Sequence, residues 1–496
     1  MNQIFKYSAP ALGLLGLVLG GCQPTLDSPA PSAGSANFAT YISVGNSLTA
    51  GYSDGGLYRE GQLNSYPSIL SQQFAMVGGG AFVQPLFTEA QANGSGYLHL
   101  TGFANGAPTV APVTTNLAVR GLYTPPVQDI TVAPGVTIPY QGPSRPLYTK
   151  FTDPVNNLGV PGIMMADIQT PGYGSVAGNP YFERITPDAN PYQTYLQRIQ
   201  STVATLKPTF FTFWLGNNDV LGYATSGGAL GTGAITNADT FKLKANRALD
   251  ALTAGGAKGV VSTLPDVVSI PFFTTVGPVL KAALTAKKIP GLVIMTGAAP
   301  GGAASANRKQ IATADIRDTN GGRQLFTLTA SPFLGLLGQP TAAPWHYIFA
   351  QSGLPQVLFE PYLASFGVDT TAAFGASAGN PIPSAFVLDD VEQGAVNTAT
   401  ASYNSILAAA ASARGLALFD VNTFFRSVAS NGVVTNGVSN TASYVSGNLF
   451  GLDGVHPTPR GYALAANEIL KVINAKYGSS FHGVNPNDYR GVTFPQ

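Results

Sequence analysis

Four short stretches of this chain carry side chains that could act together. They are Gly45-Asn46-Ser47-Leu48, Asn157-Leu158-Gly159-Val160-Pro161-Gly162, Gly216-Asn217-Asn218-Asp219, and Asp453-Gly454-Val455-His456-Pro457. A serine hydroxyl is a weak nucleophile until a base removes its proton. Neutral imidazole can do that near pH 7. The imidazole needs an orienting carboxylate, and an Asp three positions before a His can fold back onto the ring within one turn. The oxyanion that follows attack needs fixed donors, which a glycine N–H and an Asn amide can supply. Ser47, His456 and Asp453 are candidates for the first three roles.

Each stretch also has a plainer reading. Gly-Asn-Ser alone is ordinary turn chemistry. Asn218 and Asp219 alone read as caps of a following helix, and Asp219 keeps that reading here. The four histidines are His99, His346, His456 and His482. Only His456 has an acid at triad spacing; the others sit beside aromatic or apolar residues and read as packing or surface groups. Gly375-Ala376-Ser377-Ala378-Gly379 matches the Gly-x-Ser-x-Gly elbow, which requires a strand before it and a helix after it. Asn380-Pro381-Ile382-Pro383 follows instead, which argues against a helix there and against Ser377. No group of His, Cys and carboxylates has metal-site spacing, so neither a metal nor a cofactor is expected.

The elements that must position these residues alternate. "TYISVG" (40–45), "TFFTFWLG" (209–216), "KGVVSTLPD" (258–266) and "LALFDV" (416–421) read as strands. Between them, Tyr195, Leu196, Ile199, Val203 and Leu206 share one helical face. Phe241, Ala245, Ala248, Leu249 and Leu252 share another. "SYNSILAAAASARG" (402–415) and "GYALAANEILKVINAKYG" (461–478) read as two more helices, the last capped by Gly478. Repeated helix-then-strand units predict an α/β fold with a parallel sheet covered on both faces. Ligand sites in such folds lie at the carboxyl ends of the strands, and each of the four stretches falls beside a strand end or in a loop. Residues 77–150 and 275–390 break the rhythm with Gly, Pro and Thr, and read as insertions into a domain spanning 38–480, followed by a tail, 481–496.

The whole chain narrows the function classes. Charged residues are 10 % of 496 and the formal net charge is +1, which gives no basic patch for nucleic acid. Hydrophobic residues are 45 %, enough for a large core. Lys6, an apolar run from Ala9 to Leu19, and Leu19-Gly20-Gly21-Cys22 read as a signal peptide over 1–21. Cys22 is the only cysteine, which excludes an intramolecular disulfide and a catalytic thiol in the folded part. Residues 22–37 read as a flexible tether of roughly 20 Å reach.

Two resemblances add to this. Leu-Gly-Gly-Cys resembles a bacterial lipobox, which implies cleavage before Cys22, lipidation of its thiol, and anchoring in the cell envelope as an outer-membrane lipoprotein. "GNSL", "NLGVPG", "GNND" and "DGVHP" resemble the four sequence blocks of the SGNH, or GDSL-type, hydrolases. That resemblance implies a three-layer α/β/α fold with a mainly parallel five-stranded sheet, flavodoxin-like in order. It implies an esterase or lipase that cleaves carboxylic esters through an acyl-serine. Block by block, Ser47 is the nucleophile; Asp453 and His456 complete the triad; Ser47, Gly162 (rather than Gly159) and Asn218 form the oxyanion hole. The family has Asp where this chain has Asn46, which keeps size and hydrogen bonding but loses the charge. Substrates expected on this basis are lipid esters or acylated glycans. A polysaccharide deacetylase of the same fold and a non-catalytic lipid- or glycan-binding lipoprotein are the rival expectations. The two insertions are expected to shape the substrate site, with Tyr97, Phe103, Trp345 and Tyr347 as candidate contacts.

Overall fold

The computed structural model describes residues 30–104, 107–133, 136–297 and 307–495. Cys22 and the expected signal peptide lie outside these residues. Five short strands form the central sheet: β1 (Tyr41–Gly45), β2 (Asn157–Gly159), β3 (Phe210–Trp214), β4 (Lys258–Ser262) and β5 (Ala417–Phe419). Their order is β5-β4-β3-β1-β2 and every pairing is parallel. This is a doubly wound order: the chain leaves β1 for one side of the sheet, then returns to continue on the other. The switch point lies between β1 and β3, where ligands bind in such sheets.

The strands are apolar because both faces are covered. Successive side chains point to opposite faces. Ile42, Val44, Phe211, Phe213 and Val261 enter one core, with α3 (Tyr195–Leu206), α5 (Ala238–Thr253) and α6 (Asp390–Ala413). Tyr41, Phe210, Trp214, Val260 and Phe419 enter the other, with α2 (Tyr66–Ala75) and α8 (Pro459–Tyr477). The result is an α/β sandwich. Three further helices stand near strand ends: α1 (Ser47–Ala50) after β1, α4 (Asn218–Thr225) after β3, and α7 (Val421–Asn431) after β5.

Helix α5 buries the five residues whose spacing predicts its face. Helix α8 ends on Gly478, which adopts the left-handed conformation that glycine tolerates. Helix α6 starts at Asp390, twelve residues before the helix read from "SYNSILAAAASARG". Its first half is rich in Thr, Asn and Gly and lacks an apolar period. It is held instead by an Asp389–Glu392 capping box and by burial of Val396 and Thr400.

The interval 77–150 forms three two-stranded antiparallel pairs. The interval 275–390 has an apolar core of its own, including Leu280, Ile294, Phe326, Phe374 and Ile382. Parts of the stretches read as a flexible tether and a tail pack on the domain where they are described. Ser35 donates to the Tyr477 carbonyl (2.7 Å), Ser480 donates to the Ser32 carbonyl (3.0 Å), and Ala36 is buried. At the other end, Phe481 packs on Phe38 and Phe74. Residues 32–37 and 481–490 are therefore part of the packed domain. Among the described residues, no helix is long and apolar enough to cross a membrane.

Candidate active site

The first half of the site is the end of β1. Gly45 lies opposite Gly159 of β2 and Trp214 of β3. A side chain at Gly45 would collide with Thr49 and the Trp214 carbonyl, and one at Gly159 would collide with the backbone of Ala50. Close packing of three strand ends thus requires both glycines. Tyr195, buried, ties two of those ends together: its hydroxyl donates to the Leu158 carbonyl (2.6 Å) and accepts the Gly45 N–H (3.2 Å). The chain turns at Asn46, whose Oδ1 accepts the Leu48 N–H (3.1 Å). Ser47 is then the first residue of α1, where an N–H has no partner within the helix.

The second half is the loop before α8. Its Asp453 carboxylate folds back on the following residues: Oδ1 accepts the N–H groups of Val455 and His456 (2.9 Å each). Oδ2 lies 2.7 Å from His456 Nδ1 and accepts the Gly55 N–H at 3.0 Å. His456 Nε2 lies 2.9 Å from Ser47 Oγ. Burial alone would raise the Asp453 carboxyl, but His456 beside it and the hydrogen bonds it accepts hold it below the ordinary carboxylate range. With one ring nitrogen facing a carboxylate, the tautomer protonated on Nδ1 is favoured, and Nε2 is left to accept the serine proton. The side chains of Asp453 and His456 are each 15 % exposed, so the pair is reachable but mostly out of water.

A set of residues behind this loop carries no readable signal in the sequence. Asp54 is buried, and its Oδ1 accepts the Leu452 N–H at 2.9 Å. Its Oδ2 accepts from the Tyr58 hydroxyl (2.8 Å) and lies 3.5 Å from Arg490, which also pairs with Glu60 (2.7 Å). Asp54 and Leu452 are 398 positions apart, so no local pattern links them.

The expected oxyanion donors fall around the β1–β3 switch point. Gly162 has φ +82°, is exposed, and its N–H donates to no acceptor among the described residues. The Asn218 amide donates one hydrogen to the Ile163 carbonyl (2.9 Å), which joins the start of α4 to the Gly162 loop and leaves its second hydrogen. Asp219 does not cap α4. Its two carboxylate oxygens accept the N–H groups of Met165 (2.7 Å) and Ala166 (3.2 Å), so it holds the Gly162 loop from behind. Burial pushes its carboxyl up to about 6, against the opposing effect of these bonds.

A cavity of about 110 Å³ opens beside Ser47, Asn218 and His456. Its other walls come from α1, the ends of β3 and β5, α4, the 265–270 segment, α7, the 449–457 loop and α8. Neither insertion contributes a wall residue, and Tyr97, Phe103, Trp345 and Tyr347 are elsewhere. Tyr97 stacks on Tyr58, Phe103 on Phe494, and Trp345 is buried within the second insertion. Ser377 sits in a tight turn where its Oγ accepts the Gly379 N–H (3.1 Å), with no strand before it and no helix after it. His99, His346 and His482 are exposed, and His346 stacks on Phe359. Among the described residues, no three His, Cys, Asp or Glu side chains form a group that could hold a metal ion.

No family model, no curated protein and no solved structure matches this chain. The site is defined by its own atoms. It has a hydroxyl, an imidazole and a carboxylate in hydrogen-bonded series. It also has uncommitted N–H groups nearby and an apolar cavity alongside. That combination suits nucleophilic attack on an acyl carbon.

Proposed function

We propose that this protein is a serine hydrolase of the SGNH type that cleaves carboxylic esters. The observation that carries the reading is the unbroken series Ser47 Oγ, His456 and Asp453, with contacts of 2.9 and 2.7 Å. His456 Nε2 takes the Ser47 proton as Oγ attacks the ester carbonyl carbon. The carbonyl oxygen becomes an oxyanion, received by the N–H groups of Ser47 and Gly162 and the free amide hydrogen of Asn218. Collapse breaks the C–O bond to the alcohol, and His456 returns its proton to the departing alkoxide. Water then repeats the sequence on the acyl-serine, with His456 as base, releasing the acid and restoring Ser47. Asp453 stays ionised throughout, which its lowered pKa favours, and so stabilises the imidazolium.

A fluorophosphonate probe tests this, because only an activated serine attacks phosphorus quickly. The native protein should label once per chain. Ser47→Ala should abolish both labelling and ester hydrolysis with little change in thermal stability, while Ser377→Ala should leave both intact. Labelling that survives Ser47→Ala would overturn the assignment.

A further inference from the structure

The cavity beside Ser47 bears on what kind of ester is cleaved. Its polar wall residues, Ser47, Trp214, Asn217, Asn218 and His456, belong to the triad or to the β3 end beside it. The remaining walls are hydrocarbon or backbone, and no Asp, Glu, Lys or Arg is among them. Val421, Phe425 and Val428 present three positions of α7 at helical spacing to the cavity, and Leu449 and Phe450 close it from the loop that precedes the triad acid. All five of these side chains are buried. β5 leads directly into α7 at the sheet edge, and Phe450 of the loop packs on Phe425 with ring centroids 5.4 Å apart.

We infer that this cavity holds the hydrocarbon chain of a medium-chain ester, with the ester group at Ser47. The inference rests on the serine-hydrolase reading. A glycan would leave its hydroxyls without partners against such walls, which costs free energy for each group desolvated. A methylene chain gains on transfer into them. The space is somewhat smaller than a 150 Å³ apolar cavity that takes up benzene, so it fits a segment of roughly six carbons. Selectivity should therefore rise with each carbon to about that length and level off as the chain emerges.

Two nitrophenyl and acetyl series test this on the full protein. In one the acyl chain grows from two to twelve carbons on a fixed nitrophenol. In the other the alcohol grows in the same steps on a fixed acetyl group. In one of the two, kcat/KM should rise roughly threefold to fourfold per methylene up to about six carbons, and that series identifies which side of the ester enters. Val428→Phe should move the break to shorter chains, and Phe425→Ala should move it to longer ones. The opposite signs keep the test decisive even if one variant fails to fold. A flat response in both series, or a break that neither variant moves, would overturn the cavity assignment while hydrolysis of the shortest ester and fluorophosphonate labelling persist. Loss of labelling and of all hydrolysis in the native protein would instead refute the underlying reading.

Discussion

The two halves of the candidate site are built in different ways. The Ser47 half is made by neighbours in the sheet: β1 pairs with β2 and β3, and the turn at Asn46 follows within one residue. The half carrying Asp453 and His456 is a loop whose backbone is fixed from the far end of the chain. Asp54 takes the Leu452 N–H, and Arg490, Tyr58 and Glu60 hold that corner. A strand end is rigid because many backbone hydrogen bonds share the load. A loop pinned at scattered points, the buried Asp54 carboxylate among them, concentrates the load on fewer atoms. The donors of the first half can thus be altered with little loss of stability, whereas the supports of the second cannot.

Asn218→Ala should have the largest effect of the variants that sharpen this contrast. It removes an amide with one hydrogen on Ile163 and one free, and α4 keeps its backbone bonds. Loss of one preorganised donor should lower kcat by about 10²-fold or more, with KM nearly unchanged. Thermal unfolding should shift little. A large loss of stability with a kcat effect under about threefold would place Asn218 with the scaffold instead.

Asp54→Ala should reverse the pattern. It strips the Leu452 N–H of its acceptor and Arg490 of one of its two carboxylate partners. Buried groups left without partners cost about 1–3 kcal/mol each, so denaturant unfolding should report a loss of about 2 kcal/mol, reduced by the partial exposure of Arg490. Displacement of the His456 ring by a fraction of an ångström should lower kcat about tenfold. Asp54→Asn keeps an acceptor for Leu452 and should recover most of the kcat but only part of the stability. If both variants match the native protein in kcat, the loop is held by something other than Asp54.

The same contrast separates what could be read in the sequence from what could not. Strands β1 and β3 are runs of β-branched and aromatic residues, and α5 has its five buried positions at helical spacing, so short-range pattern was enough. Ser47, Asp453 and His456 stand out by residue type and spacing next to a strand end or in a loop, whereas the choice of Gly162 and Asn218 among their neighbours rests on the family resemblance. The paired strands of 77–150 did not stand out. The Leu98–Ala104 strand buries only Leu100, so no alternation marks it. Asp219 resembled a helix cap because an acid at a helix start usually is one. Here the Gly162 loop comes close enough to claim both its oxygens. The cavity walls come from five segments, 47–48, 214–221, 265–270, 419–428 and 449–465, which only the folded chain assembles.

Asn46→Asp should have the smallest catalytic effect and probes the tightest part of the first half. Asn46 is fully buried; its Oδ1 accepts the Leu48 N–H, and its Nδ2 has no partner among the described residues. A carboxyl there keeps the acceptor and removes the orphaned donor. It also puts a possible negative charge one residue from Ser47, where it would favour the imidazolium that forms as His456 takes the proton. Desolvation opposes that charge, with one N–H as the only donor in hand. The two effects leave a rise in kcat of no more than about threefold. Desolvation should also raise the new carboxyl's pKa in the folded state above its unfolded value of about 3.9. The folded state then binds more protons than the unfolded one, so the variant loses stability relative to the native protein as pH rises through that interval. Urea unfolding at pH 4 and pH 7 should show a relative loss of about 1 kcal/mol for each unit by which the pKa is raised. Parallel stability curves across that range would mean that the carboxyl ionises freely, and that the turn at Asn46 is better solvated than its full burial implies.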